Sequence, residues 1–273
     1  MSKRKYKLKP IEAGTAFEGL FSDCEELETL PLTHKKDWYV ARSILKNGAI
    51  PLEDCDVFCE RLQYFFYGRP AYAVAQGKGN RKDNLYFPVC FLIDPTCVEI
   101  DSVFPFDTGA FADEFYDDYI HEDMDINKFL ISPTLQTIKG FINYFYGDNE
   151  KYYTRKQKNI VTSYDTIDEL RAYISIMTAS GAPSFDERAE TIEVITRSPL
   201  SLHAGVKAMV IPNEFACASD TIDAIEELKA NGVDIITYRV IGLSPEQYNA
   251  IVHEKVYEYL LSKDLFSKHV TKR

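Results

Sequence analysis

The sequence predicts a mixed α/β fold of the α+β type, built as one body. Three observations predict it. Runs rich in β-branched and aromatic residues, above all LYFPVCFLI at 85–93 and TIEVIT at 191–196, read as strands. Between such runs lie segments with apolar residues at helical spacing, each bounded by a capping residue or a glycine. No internal repeat, low-complexity tract or linker divides the 273 residues, a length that suits one large domain.

Residues 1–29 carry little periodicity and are expected to form an extension wrapped over the body. Leu30 to His34 reads as a short strand. Asp37 then caps a helix through Lys46 that puts Trp38, Ala41, Ile44 and Leu45 on one face, and Asn47-Gly48 stops it. Glu60 to Tyr67 is an aromatic strand or a helix–strand junction, running into the turn Gly68-Arg69-Pro70, which holds one cation at its corner. Residues 76–84 form a polar loop before the strongest buried-strand signal, 85–93. Pro88 argues against a central place for that strand, because proline donates nothing to a ladder.

Asp101 to Asp125, acidic and aromatic, reads as a long irregular excursion. Thr134 to Tyr146 is a helix ended by Gly147. Thr166, with Glu169 three residues on, opens another helix through Met177, and 180–183 break it. Strands follow at 191–196 and 207–211. Ser219 or Asp220 caps a helix ending at Asn231-Gly232, 233–240 is again a strand, and Ser244-Pro245 starts the C-terminal helix.

Composition narrows the function classes. Hydrophobic residues make up 45% and tyrosines number 18, so the chain can bury a large core and still line a polar cleft with hydroxyls. A net charge of −11 argues against wholesale coating of nucleic acid. Basic character is local: residues 1–10, the tail from Lys268, and Lys151, Arg155, Lys156 and Lys158. Tyr152 and Tyr153 are interleaved with that middle patch, which could guide single-stranded nucleic acid by charge and stacking, although a wet helix end is the simpler reading.

The six cysteines include no CxxC pair and no zinc-finger spacing, so reduced thiols in a cytoplasmic protein are expected. The basic N-terminus lacks a following apolar stretch, and no run approaches the roughly 18 apolar residues of a membrane span. Neither a secretory signal nor a membrane role is expected. The acidic residues of 101–125 do not follow an EF-hand pattern, so no metal is expected there.

Three residues at the edges of strand-like segments form the candidate site: His34, Arg69 and Glu190. A histidine can hydrogen-bond ribose hydroxyls, an arginine can hold a phosphate through its fork of donors, and tyrosines can stack on a flat ring. A carboxylate beside an anomeric carbon can grip the 2′-hydroxyl and favour an oxocarbenium-like sugar. Bland alternatives stand beside each: a structural histidine, an arginine bridging to an acid, and a helix with Glu187, Glu190 and Glu193 on one exposed face. The β-branched Thr191, Ile192, Val194, Ile195 and Thr196 weigh against that helix. On a strand, Glu190 shares a side with Ile192 and Val194, so it leads and Glu193 follows.

Thr33-His34-Lys35-Lys36-Asp37 followed by Ile44-Leu45-Lys46-Asn47-Gly48 resembles the opening of ADP-ribosyltransferases, most closely the DarT-type toxins that modify DNA. Those begin with a Thr-His-x-x-Asn strand and a helix ending Ile-Leu-x-x-Gly. The stretch from Phe65 to Gly77 is similar to that family's aromatic segment, and Arg188-Ala189-Glu190 resembles its Gln-Ala-Glu. Asp37, Gly68 and Arg188 depart from the pattern, and the changes at Asp37 and Arg188 bear on cofactor grip and acceptor.

The resemblance implies a single ADP-ribosyltransferase-like domain over 30–273, with a central mixed or antiparallel split sheet flanked by helices and an acidic insertion near 101–125. It implies NAD as substrate, Glu190 and Arg69 as catalytic residues, and Thr33, His34, Tyr67 and Tyr72 around the cofactor. The expected function is cleavage of the nicotinamide–ribose bond and transfer of ADP-ribose to a nucleic-acid base or a protein, as in a toxin or phage-defence effector with a neutralising partner. The alternative is a non-enzymatic interaction module on a degenerate scaffold of the same kind. A metal-dependent nuclease using Asp186 and Glu190 is weaker, because no Glu-x-Lys follows.

Overall fold

Leu32–Asp37 forms the strand around which a mixed sheet is assembled. In chain order the strands are β1 (Leu32–Asp37), β2 (Ala49–Ile50), β3 (Glu53–Asp54), β4 (Arg61–Tyr67), β5 (Pro88–Ile93), β6 (Ser102–Phe104), β7 (Glu193–Thr196), β8 (Leu200–Ser201), β9 (Val206–Pro212) and β10 (Asp234–Tyr238). The helices are α1 (Trp38–Asn47), α2 (Thr108–Ala112), α3 (Leu135–Phe145), α4 (Asn149–Tyr153), α5 (Asp168–Ala179), α6 (Leu202–Gly205), α7 (Asn213–Ala216), α8 (Ile222–Ala230) and α9 (Tyr248–Ser262). The computed structural model describes residues 4–9, 15–71, 84–163, 165–179, 188–244 and 247–267.

The sheet runs β10-β9-β5-β1-β4-β7-β6, with β3 paired to β4 and β2–β8 a separate pair. Its pairings are antiparallel except β9–β10, whose parallel register is made by the crossover through α7 and α8. β1 pairs with β5 along all six residues but with β4 only at Leu32 and Thr33. From His34 onward β1 and β4 pair no further, which leaves a fork between them in an otherwise continuous mixed sheet.

Local chemistry explains the helix that follows. The Asp37 carboxylate accepts the Val40 N–H at 3.1 Å, and Gly48, at φ 66°, supplies the left-handed residue that ends the helix. Trp38, Ala41, Ile44 and Leu45 are its buried face, as their spacing requires. Trp38 stacks on Phe215 with ring centroids 4.4 Å apart, which ties α1 to α7.

Two expectations are corrected. β5 is central, flanked by β1 and β9, in spite of Pro88. The proline sits at the first residue, opposite Asp37 where β1 ends, so its missing N–H costs no inner rung. The 101–125 excursion is not irregular at its start: it opens with edge strand β6 and the Asp107-capped α2. Its aromatic residues Phe104, Phe106, Phe111 and Tyr116 are core. Most of the acids stay outside, together with Phe115 and Tyr119.

Those acids receive the basic N-terminal segment, Arg4 pairing with Glu114 and Asp117 and Lys9 with Asp125. Exposed pairs of this kind stabilise by less than about 1 kcal/mol each. Among the described residues of 1–29, Phe17 and Leu27 are buried in the core. At α8 neither Ser219 nor Asp220 caps: Thr221 occupies that position without a side-chain bond, and Asp220 takes Lys46 at 2.6 Å. Helix α9 begins at Tyr248, and Pro245 lies outside the described residues.

Helix α3 passes so close to the N-terminal segment that a Cβ on Gly140 would run into the Ser22 carbonyl oxygen. Gly140→Ala is therefore expected to lose about 1–3 kcal/mol, overpacking outweighing alanine's better helix propensity. Urea unfolding of the variant checks this; a stabilised protein would mean that residues 20–26 do not hold this path.

Candidate active site

The fork between β1 and β4 is filled by side chains. His34, 4% exposed, lies against the rings of Phe65 and Phe91 at 5.6 and 6.4 Å. Its Nδ1 is 3.1 Å from the Tyr64 carbonyl oxygen, to which Gln63 Nε2 donates at 3.0 Å. Burial, with the charge of Lys36 adding to it, pushes the imidazole down to about 3, while the Tyr64 carbonyl opposes the shift. His34 is therefore neutral at physiological pH.

Arg69 and Glu190 lie near this fork at the ends of neighbouring strands, each two residues from a backbone group held by the Tyr152 hydroxyl. β4 stops at Tyr67, and Gly68 turns the chain at φ 73°, where a Cβ would meet Leu30 Cδ1 at 2.5 Å. Only glycine suits that corner. It delivers Arg69 into the interior, 1% exposed, with its carbonyl accepting the Thr33 hydroxyl at 3.1 Å.

On the adjoining strand the expectation for Glu190 needs correction. It ends a single 3₁₀ turn, Arg188–Glu190, and does not open a strand. Pairing with β4 begins two residues later, where the Tyr67 N–H donates to the Ile192 carbonyl at 2.9 Å. Glu187 lies outside the described residues.

Glu190 is 1% exposed, and Arg155 Nε donates to its Oε1 at 2.9 Å. Arg155 follows α4 at φ 58°, a left-handed conformation uncommon for a residue with a side chain. Tyr152, one turn earlier, staples the two strand ends: its hydroxyl donates to the Tyr67 carbonyl at 2.9 Å and accepts the Ile192 N–H at 3.1 Å. Burial raises the hydroxyls of Tyr146, Tyr152 and Tyr173, the charge of Glu190 raises them further, and Arg69 pulls Tyr146 and Tyr152 back. Arg69 and Glu190 thus act on the same tyrosines. Two guanidinium groups and one carboxylate in a low-dielectric enclosure can bind an anion and stabilise a neighbouring cation far better than in water.

The predicted residues divide accordingly. Arg69 and Glu190 are both buried on either side of the Tyr152 hydroxyl, and Glu190 pairs with Arg155. His34 belongs to the neighbouring fork, where its partners are Tyr64, Gln63 and the two phenylalanine rings. Thr33 links the two, its hydroxyl donating to the Phe66 and Arg69 carbonyls. Tyr67 is enclosed, with its hydroxyl accepting the Leu30 N–H at 2.9 Å, so it supports the site from the core. Tyr72 lies outside the described residues.

The patch at 151–158 is not a stacking surface. Tyr152 and Tyr153 are buried, Lys151 pairs with Asp148, and Lys158 donates to the Asn143 carbonyl. Sequence reasoning counted Arg155 among its solvated charges. The signal that could have singled it out is its place three residues after Tyr152 in an aromatic, amphipathic run.

Glu193 belongs to a different group. Thr108 Oγ1 donates to its Oε1 at 2.6 Å. Burial, then the charge of Asp107, pushes this carboxyl well above the usual range, against the pull of the Thr108 donors. Native Glu193 keeps a proton that the unfolded chain has already released above its ordinary pKa. The stability that this group contributes is therefore expected to fall as pH rises above about 4.5. Glu193→Gln should flatten that fall in urea unfolding across pH; an unchanged slope would place the proton elsewhere.

Two surface cavities lie away from these residues. One of about 450 Å³ is bounded by α1 and α8 near Lys46, His203 and Asp220; the other, about 770 Å³, runs between residues 20–26 and α3. Among the described residues no group of His, Cys, Asp or Glu is arranged to hold a metal, and no helix is long and apolar enough to cross a membrane. Compared with known proteins, the chain matches no family model, no curated protein and no solved structure.

Proposed function

We propose that the chain is an NAD-dependent ADP-ribosyltransferase, a glycosyltransferase that acts in the cytoplasm on a nucleic-acid base or a protein side chain. In that reaction the C1′–N bond of NAD breaks and its electron pair leaves with nicotinamide. The ribosyl C1′ becomes oxocarbenium-like, and an acceptor lone pair closes on it as the acceptor proton passes to base or water. Glu190 grips the 2′-hydroxyl and stabilises the positive sugar. Arg69 holds the pyrophosphate. His34, neutral in its fork, meets the nicotinamide-side ribose.

The observation that carries this reading is that the Tyr152 hydroxyl joins the strand end leading into Arg69 to the segment following Glu190. This sets the two buried residues, far apart in sequence, each two positions from a joined backbone group. The resemblance of the Thr33-His34, Phe65–Gly77 and Arg188–Glu190 stretches supports it independently of that geometry. The six unpaired cysteines support a reducing compartment. A toxin of this class would work against a neutralising partner.

One observation favours a second reading. Glu190 is sealed from solvent and paired with Arg155, as in a scaffold that serves as an interaction module without turnover. Incubation with labelled NAD, followed by mass spectrometry of the protein and nucleic-acid fractions, separates the two. The transferase gives free nicotinamide and an ADP-ribose adduct on one fraction; intact NAD with no adduct would leave the interaction module.

A further inference from the structure

Resting on the transferase reading, we propose that Arg155 is the positioning residue of the site, fixing the Glu190 carboxylate for nicotinamide release. Three observations carry this. The ion pair is 2.9 Å long, with Glu190 1% exposed and the Arg155 side chain 19% exposed, so Arg155 stands between the carboxylate and solvent. By holding Oε1 it fixes the plane of the carboxylate, and a fixed plane is what a ribose hydroxyl must meet as the glycosidic bond breaks.

The second observation is the backbone. Arg155 is held at φ 58° by its own N–H to the Tyr152 carbonyl at 3.2 Å and by the Lys156 N–H to the Lys151 carbonyl at 2.8 Å. A left-handed position after a helix ordinarily takes glycine or asparagine. An arginine kept there aims its guanidinium inward at a conformational cost, and such strain collects at functional sites.

The third is economy of support. α4 carries both Arg155, at its end, and Tyr152, whose hydroxyl joins the end of β4 to the start of β7. One short helix thus sets the spacing between the strand that delivers Arg69 and the turn that delivers Glu190, and also orients the carboxylate between them.

The test uses Arg155→Gly and Arg155→Lys in the full chain. Glycine removes the guanidinium but suits the left-handed backbone, so the path of the chain is spared. Nicotinamide release is measured over a range of NAD concentrations, with thermal melts alongside. Arg155→Gly is expected to lower kcat about 10- to 100-fold with KM within about threefold of wild type, and to lower the melting temperature because the buried Glu190 carboxylate loses its ion pair with Arg155. Added methylguanidinium should restore part of that kcat, and Arg155→Lys should fall between the two. Wild-type kcat in Arg155→Gly would overturn the inference while leaving the transferase reading in place. So would a loss that tracks the melts and that neither lysine nor methylguanidinium relieves. A wild-type protein that releases no nicotinamide would remove the reading and the inference together.

Discussion

On the transferase reading proposed above, Glu190→Gln is expected to lower nicotinamide release about 100- to 1,000-fold at saturating NAD, the loss that follows when one preorganised charge opposite a developing cation is removed. The amide keeps an oxygen for Arg155, so the pair is weakened but not abolished. The accompanying loss of stability is held to about 1–3 kcal/mol, that of a charge-assisted hydrogen bond made neutral on one side. A chemical step that collapses while the protein still melts cooperatively is the pattern to look for. Glu193→Gln is the internal comparison, because Glu193 is also buried but faces Thr108 and Asp107. It should leave the rate within a few fold. If the two variants exchange these outcomes, the carboxylate role passes to Glu193; if neither slows the reaction, the assignment of a glutamate on this segment is lost.

Acid destabilises the fold through His34. Its pKa is about 3 in the folded chain against an ordinary 6.5, because burial disfavours the imidazolium and Lys36 repels it. Below 6.5 the unfolded chain takes up a proton that the native chain refuses. The stability that His34 contributes therefore falls as pH drops from about 6.5 towards 3 and is fully present above 6.5. The Glu193 contribution changes the other way above about 4.5, so the His34 part is read as the difference between wild type and His34→Gln. A shift of this size is worth roughly 4–5 kcal/mol at the acid end by linkage. Urea unfolding at half-unit steps from pH 7.5 to 4 should show that slope, and His34→Gln should remove most of it. If the slope is as steep in the variant as in the wild type, other groups drive acid unfolding and the fork between β1 and β4 is open to water.

Where a short segment carries its own instructions, the sequence was sufficient. Asp37, the four apolar positions after Trp38, and Gly48 specify α1 without help from the rest of the chain. The aromatic run at 60–67 and its Gly68 corner were legible for the same reason. Pro88 misled because a residue's effect on a ladder depends on which rung it occupies, and that is fixed by where β1 ends. The 101–125 segment misled because its charges hide core aromatics at irregular spacing.

At the site, Arg69 and Glu190 were named from the sequence, but their surroundings were not. Arg155 and Tyr152 looked like part of a basic, solvated stretch, and only the packing of α4 against the ends of β4 and β7 turns them inward. The gap between His34 and the Arg69–Glu190 pair has a similar origin. It depends on how many rungs β1 and β4 share, and pairing length is a property of two distant segments together.

The strand order also bears on how the molecule is made. β1, β4 and β5 sit side by side and are all complete once residue 93 has left the ribosome, whereas β7 and β9, which cover their two flanks, come from the last third of the chain. A nascent three-stranded unit must wait with both edges bare, the arrangement most open to pairing with the wrong neighbour. Slow synthesis through residues 94–205 would prolong that wait, and chaperones that shield unpaired strands would be expected to act during it.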